Sequence, residues 1–299
     1  MRVVVVGMGV QGAKRLAAAG RDAVATVDPV RDAAYRELAA VPPDSYDAAL
    51  LCIPDEPKLA LMMDLVSRGK HLLVEKPVLG ESAAIQRVID AAAANKAVCY
   101  TAYNHRFEPH FMRMKALIDS GALGRIYSVR MFYGNGTARL VRESAWRDTG
   151  SGVLPDLGSH LLDTIHFWLG VPDAPFQLTM MNRFENRSPD HVVVTSAGTT
   201  AIQLEMTMLS WRNHFTCDVL AENGSAHIES LCKWGPSTFR HRTRILPSGR
   251  PPEEAVTLLQ DDPTWALEYD HFKRLCQAGG PGNLANDLWI SSTLRTLEA

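Results

Sequence analysis

The feature that most constrains the fold stands at the start of the chain, where four valines lead directly into a glycine-rich turn. The valines, residues 3–6, predict a strand buried on both faces. The glycines that follow have the G-x-G-x-x-G spacing of a dinucleotide-binding turn, in which they allow a tight bend, approach of a pyrophosphate and close helix packing. Because the next helix points its first N–H groups at the phosphates, we predict cofactor contacts from Gly7, Gly9, Val10, Gln11 and Gly12.

Asp28 follows the next predicted strand, residues 23–27, at the distance where an acidic residue accepts the ribose hydroxyls of an adenosine. A carboxylate there also repels a 2′-phosphate, so Asp28 favours NAD over NADP. NADP stays open because Arg31 lies close by in the sequence. The alternative interpretation is a phosphate-free, flavodoxin-like turn in which Asp28 caps a helix.

Composition excludes several classes of protein. The 299 residues carry a net charge of −2, which gives no electrostatic footprint for nucleic acid. The five cysteines are scattered without a C-x-x-C pair, as is typical of a reducing compartment. We find no signal peptide and no apolar run of membrane-spanning length. We therefore expect a cytoplasmic protein without nucleic-acid or membrane partners.

Two patterns of predicted elements divide the chain. Up to about residue 121, strands alternate with helices, including a predicted helix at residues 30–39, which indicates an α/β Rossmann domain with a parallel sheet. From residue 122, strands follow one another with one intervening helix, at residues 156–169, and two helices close the chain. This second pattern predicts an α+β domain, residues 122–299, with a mostly antiparallel sheet.

Glu75-Lys76-Pro77 ends the fourth predicted strand, at the sheet edge where a bound nicotinamide is expected. A lysine there can donate to a substrate oxygen, and partial burial beside a cationic ring would make it a usable proton carrier. The alternative is a surface lysine paired with Glu75.

Asp156 and His160 are four residues apart, a spacing that places both on one face of a helix. A carboxylate beside an imidazole is the usual arrangement for general acid–base work. Three alternatives stay open: Asp156 complements a helix N-terminus, His160 is a core histidine, or both join Asp163 and His166 in a metal site. We favour no metal, because no further ligand with clear spacing is present.

Taken together, these segments resemble the Gfo/Idh/MocA oxidoreductase family. The resemblance rests on the glycine turn, the Glu75-Lys76-Pro77 segment, the residues 103–107 (Tyr-Asn-His-Arg-Phe) and the residues 152–160, in the expected order across nearly the whole chain. It implies a Rossmann domain followed by an open-faced sheet domain that often pairs subunits. It also implies catalytic roles for Lys76, Asp156 and His160.

Further site residues follow from the resemblance. Ile53 and Pro54 stand where many members have Thr-Pro-Asn, and Leu59 stands near a usual histidine, so we expect contacts to the cofactor from the backbone of Ile53 and Pro54. Glu75, Lys76 and Asn104 are also counted as cofactor contacts. We expect substrate contacts from Arg106, Trp146, Arg147, Asp156 and His160. Asn104 and Arg106 could instead form loop hydrogen bonds and an inter-domain salt bridge. For Arg147 the alternative to substrate binding is a position in a solvated loop.

These observations favour an NAD(P)-dependent oxidoreductase that acts on a secondary alcohol or ketone of a sugar, polyol or nucleotide-linked sugar. Two alternatives are an NAD-dependent glycoside-cleaving hydrolase of the same family and a non-catalytic cofactor sensor. The resemblance further implies a homodimer or homotetramer formed through the C-terminal sheet.

Overall fold

The computed structural model describes residues 1–144 and 147–298. Its strands are β1 (Val3–Val6), β2 (Ala23–Val27), β3 (Ala48–Leu51), β4 (His71–Glu75), β5 (Cys99–Ala102), β6 (Ile126–Gly134), β7 (Gln177–Asn182), β8 (His191–Ala197), β9 (Ala201–Thr207), β10 (His214–Ala221), β11 (Gly224–Glu229), β12 (Ser237–Thr243) and β13 (Glu253–Leu258). Its α-helices are α1 (Val10–Ala19), α2 (Lys58–Ser67), α3 (Ser82–Ala94), α4 (Pro109–Asp119), α5 (Ala138–Arg142), α6 (Ser159–Leu169), α7 (Thr264–Ala278) and α8 (Leu284–Glu298). Among these described residues, no helix has both the length and the apolar character needed to cross a membrane.

The chain forms two compact units. Unit 1 comprises Met1–Asn104 and Pro263–Ser292, and unit 2 comprises residues 105–262 and the last residues from Thr293 onward. This division differs from the predicted one at residues 121 and 122. The difference arises because α7 packs on α1, where it buries Tyr269 and Phe272, and so returns to the first unit.

Unit 1 contains the predicted Rossmann sheet. Its five strands are all parallel, in the order β2-β1-β3-β4-β5. Strands β1, β3 and β5 are buried on both faces, whereas the edge strand β2 is partly exposed. Residues such as Val4, Leu51 and Val74 form one core with Met62 of α2. The predicted α/β class is confirmed.

Unit 2 contains an eight-stranded sheet in the order β13-β12-β11-β10-β6-β9-β8-β7. Neighbouring strands are antiparallel except β6 and β9, which run parallel. In β6 the side chains alternate, with Val129, Met131 and Tyr133 buried and Arg130 exposed, so the sheet has one covered and one open face. The mostly antiparallel sheet predicted for this part is therefore confirmed.

Two predicted helices differ from the structure. Residues 30–39 do not form an α-helix, because the chain turns back along β2: Tyr35 donates to the carbonyl of Thr26 and accepts from the N–H of Asp28. Of the helix predicted at residues 156–169, only the part from Ser159 is an α-helix. The residues just before it, Leu154–Gly158, form a π-helical turn that contains Pro155, which has no N–H to donate.

Candidate active site

The glycine turn after β1 is closely packed at its first and third glycines. Gly7 has φ +88°, and a Cβ there would lie 2.3 Å from the carbonyl oxygen of Cys52. A Cβ on Gly12 would lie 1.8 Å from the carbonyl oxygen of Gly7. Both positions therefore require glycine for the turn to close and for α1 to pack against the sheet.

Gly9 differs from its two neighbours, because a Cβ there would meet nothing within 4 Å. It precedes α1, and the next residue, Val10, is 71% exposed in the first turn. Protein packing therefore does not explain glycine at this position, whereas close approach of a ligand does. A helix N-terminus beside open space is the arrangement that binds a pyrophosphate, so the turn fits an adenine dinucleotide.

Asp28 lies at the end of β2 as predicted, and three backbone N–H groups bind its carboxylate. Met8 donates to Oδ2 over 2.7 Å, while Val30 and Arg31 donate to Oδ1 over 2.9 and 2.7 Å. These bonds, that from Arg31 above all, lower the pKa of Asp28 despite its burial. The carboxylate is thus ionised and held in one orientation beside the glycine turn. Its contact with ribose stays a prediction.

Ile53 and Pro54, which follow β3, lie beside the glycine turn. Cys52 donates its N–H to the carbonyl of Val6, and the methyl Cγ2 of Ile53 lies 3.2 Å from the place that a Cβ on Gly7 would take. The two predicted backbone contacts therefore lie at the same sheet edge as the glycines.

The Glu75 carboxylate belongs to a buried ion network, so its neighbour Lys76 is not its only possible partner. Arg15 of α1 donates from Nε to Glu75 Oε1 over 2.6 Å, and its Nη1 forms an ion pair with Glu268 Oε2 of α7 at 2.7 Å. The Arg15 and Glu268 side chains are almost entirely buried. The partner of Glu75 that sequence reasoning missed is thus Arg15, one turn into the glycine-turn helix.

The two remaining predicted site residues of unit 1, Lys76 and Asn104, follow the ends of neighbouring strands. Lys76 follows β4 directly and is half-buried. Asn104 follows β5, is buried, and donates from its amide to the hydroxyl of Thr264 over 2.8 Å. Because β4 and β5 are adjacent and parallel, both residues lie at the carboxyl edge of the sheet. This is the edge where ligands of open parallel sheets bind.

In unit 2, the π-helical turn and α6 carry the predicted acid–base pair. Asp156 lies in the turn, and its Oδ2 is 3.7 Å from Nη2 of Arg147. His160 lies in the first turn of α6 and is 8% exposed. Its ring stacks on that of His105 with a centroid distance of 4.1 Å and an interplanar angle of 19°. Sequence reasoning missed His105 as a site residue, although it lies within the Tyr-Asn-His-Arg-Phe segment that carried the resemblance.

Tyr133, at the end of β6, is a second residue that sequence reasoning missed. Its ring lies 6.0 Å from the ring of His160 and 5.4 Å from that of His105. Burial raises the pKa of Tyr133, and the negative charge of Asp156 raises it further. The phenol is therefore a neutral hydrogen-bond donor beside the pair. Its only sequence signal was an inward position in an alternating strand.

Arg106 binds Asp163 through two parallel bonds, from Nε over 2.8 Å and from Nη2 over 2.6 Å. Both residues belong to unit 2, and the guanidinium also lies over the ring of Phe167. The Asp163 carboxylate that the metal alternative used is therefore an ion-pair partner. Within the described residues no group of three or more potential ligands is placed to hold a metal ion. Trp146 lies outside the described residues.

Comparison with known proteins shows the family. Residues 1–103 match a family described as an oxidoreductase family with an NAD-binding Rossmann fold, and residues 111–227 match a GFO/IDH/MocA C-terminal domain. The chain belongs to the Gfo/Idh/MocA oxidoreductase family. The glycine turn, the Glu75-Lys76-Pro77 segment and residues 152–160 lie within these two matches, whereas residues 104–107 of the fourth segment lie between them.

Individual members of the Gfo/Idh/MocA family are distant in sequence. The scyllo-inositol 2-dehydrogenase (NADP(+)) IolW of Bacillus subtilis is 31% identical over 138 residues, which are 44% of this chain and 37% of that protein. Inositol 2-dehydrogenase 4 of Saccharopolyspora erythraea is 23% identical over 76% of this chain and 73% of its own length. The match to the inositol 2-dehydrogenase of Rhizobium meliloti covers 39% of that protein. As with IolW, this is well under half of the relative's length.

Solved structures share the fold over the whole chain. A levoglucosan dehydrogenase in complex with NADH has a TM-score of 0.85 at 17% identity, covering 99% of this chain and 95% of that one. An oxidoreductase from Agrobacterium radiobacter, in complex with NAD+, L-tartaric acid and magnesium, has a TM-score of 0.81 at 15% identity and covers 99% of this chain and 94% of its own. At these identities the likeness shows the fold.

Proposed function

We propose that this protein is an NAD(P)-dependent oxidoreductase acting on a secondary alcohol or ketone of a sugar, polyol or nucleotide-linked sugar. The observation that carries the proposal is the glycine turn, which is tightly packed at Gly7 and Gly12 and open at Gly9. The names of the relatives support the carbohydrate-like substrate class, since they include inositol and levoglucosan dehydrogenases.

The acid–base residues have complementary roles in this proposal. When bound, the nicotinamide ring supplies the hydride acceptor or donor. In oxidation His160 accepts the proton of the substrate hydroxyl, and Lys76 stabilises the developing alkoxide by charge and hydrogen bond. Asp156 orients the substrate or the imidazole, and in reduction the same groups return the proton to the ketone oxygen.

Neighbouring side chains of unit 2 support the acid–base pair. Stacking on His105 restricts the ring of His160 to one plane. Tyr133, kept protonated by burial, donates to a substrate oxygen. Arg147 is one-third exposed and contributes to substrate binding, together with Trp146, as a planar donor suited to carboxylate or phosphate.

Asp28 supports a preference for NAD. Its carboxylate is ionised and fixed by three N–H groups, so a 2′-phosphate would bring negative charge against a group that cannot turn away. Arg31 is exposed nearby and leaves a weaker reaction with NADP open.

The test is a reduction assay of the purified protein with NAD+ and NADP+ against sugars, sugar acids, inositols and nucleotide-linked sugars. The proposal expects reduced nicotinamide to accumulate with at least one compound, faster with NAD+. Cleavage of a glycoside without net reduction would favour the hydrolase. Cofactor binding without conversion of any compound would favour the sensor and contradict the proposal.

We further propose a cytoplasmic homodimer or homotetramer formed through the open face of the unit 2 sheet. Leu220 of β10 is 46% exposed on that face, and the five cysteines are free, which suits a reducing compartment. Light scattering of Leu220→Asp tests the interface, with Val171→Asp, at a position that is 55% exposed, as control. The proposal expects dissociation of the first variant alone, and equal masses would contradict it.

A further inference from the structure

Lys58, the first residue of α2, is a lysine in an unusual environment. It is 2% exposed, whereas lysines are almost never fully buried without partners. Its ammonium donates to Asp55 Oδ1 over 2.5 Å, to the carbonyl of Pro77 over 2.8 Å and to the carbonyl of Glu75 over 3.1 Å. These three bonds use all three of its N–H donors.

The two carbonyls that Lys58 binds belong to the residues on either side of Lys76. The backbone is therefore tied to α2 immediately before and immediately after that residue. Further along, Ser291 exchanges hydrogen bonds with the backbone of Gly80 over 3.2 and 3.0 Å. Ser291 thus binds the backbone at Gly80, whereas Lys58 binds the two residues adjacent to Lys76.

We propose that Lys58 is a positioning residue that fixes the backbone around Lys76, so that the Lys76 ammonium is presented at one place on the sheet edge. Burying an ammonium is costly, and here the Asp55 charge and two carbonyls compensate it. An apolar side chain would leave both carbonyls without this donor and free the segment to move. The role of Lys76 itself rests on the proposed function.

The chain offers a matched control in Lys70. This lysine precedes β4 directly, and its ammonium also binds two backbone carbonyls, those of Pro43 over 2.7 Å and Tyr46 over 2.8 Å. The chemistry resembles that of Lys58, but it acts at the opposite end of the same strand. A general effect of removing a carbonyl-binding lysine from unit 1 would appear in both variants, and a positioning effect on Lys76 only in one.

The first test is independent of activity. Hydrogen exchange of the backbone amides from residue 78 to residue 80 is measured by mass spectrometry in the unmodified protein, Lys58→Met and Lys70→Met. The proposal expects several-fold faster exchange of these amides in Lys58→Met alone. Equal protection in all three proteins, or equal loosening in both variants, would overturn it. If Lys58→Met does not fold, Lys58→Gln, a shorter and uncharged side chain that keeps an N–H donor, is measured against Lys70→Gln, and a smaller acceleration confined to the Lys58 variant is expected.

The second test separates positioning from cofactor binding. With a substrate from the reduction assay, kcat of Lys58→Met is expected to fall up to about 100-fold, because a misplaced catalytic group costs rate steeply. The Kd for NADH should stay within about twofold, and Lys58→Arg, which keeps N–H donors, should recover part of kcat. An unchanged kcat in Lys58→Met would overturn the inference and leave the proposed function standing. An unmodified protein without activity would instead remove the proposed function, and hydrogen exchange would still decide whether Lys58 holds the segment.

Discussion

Gly9 and Gly12 are separated by two residues and are glycine for opposite reasons. Gly12 has no room for a Cβ, so Gly12→Ala is expected to lower the free energy of unfolding by about 1–3 kcal/mol or more. Gly9 has open space and φ −72°, so Gly9→Ala should cost less than about 1 kcal/mol. Chemical denaturation of both variants measures the difference.

Cofactor binding, by contrast with stability, should depend strongly on Gly9. A methyl group on Gly9 blocks the approach of a pyrophosphate, and loss of one charge-assisted hydrogen bond weakens NADH binding by about 10- to 100-fold. Calorimetric titration of folded Gly9→Ala with NADH gives the affinity. Unchanged affinity in Gly9→Ala would show that the cofactor pyrophosphate does not approach this glycine closely.

The three N–H bonds to Asp28 predict a pH dependence of stability. Because they lower its pKa in the folded state, they stabilise the fold above the ordinary aspartate pKa of about 4, and this stabilisation is lost as pH falls below that value. The difference in unfolding free energy between the unmodified protein and Asp28→Asn is therefore expected to be largest at neutral pH and to shrink below about pH 4. Asp32→Asn, at an exposed position four residues on, is the control. A difference that is constant with pH would contradict this account.

At the level of elements, the Arg15 network joins α1, β4 and α7 in the interior of unit 1. Removing Arg15 leaves two buried carboxylates without their counter-charge, so Arg15→Met is expected to cost about 3–5 kcal/mol of unfolding free energy. Arg68→Met, which breaks an exposed ion pair with Asp64 on α2, should cost less than about 1 kcal/mol. Equal losses in the two variants would show that the buried network contributes no more than a surface pair.

The elements also show how far the sequence predicts this fold. Hydrophobic runs between turn residues predicted the parallel sheet, since each buried strand is a local signal. The helix at residues 30–39 was wrong because Tyr35 pairs with β2, a contact that helical composition does not reveal. The carboxylate partners of Arg15 and the carbonyl partners of Lys58 were missed because they are distant in sequence and become neighbours only in the folded chain.

At the scale of the whole molecule, the chain crosses from unit 1 to unit 2 and returns with α7. Local patterns predicted the class of each unit but not this return, because α7 reads as an ordinary amphipathic helix and its packing on α1 depends on Arg15 and Glu268. A motif that is continuous in sequence was enough to propose Lys76 and His160 as site residues, and their roles stay predictions. The candidate site was not predictable where a lone residue such as Tyr133 is placed by the sheet.

The central proposal is that Lys76 and His160 both act in the proposed reaction. The measurement that tests it most directly is the turnover of Lys76→Ala, His160→Ala and the double variant, with NADH affinity measured alongside. Because residues that act in the same chemical step are strongly non-additive, each single variant should lose about 100-fold or more in kcat, and the double variant little beyond that. NADH affinity should be retained in His160→Ala. Losses that multiply, or a single variant with unchanged turnover, would contradict the claim.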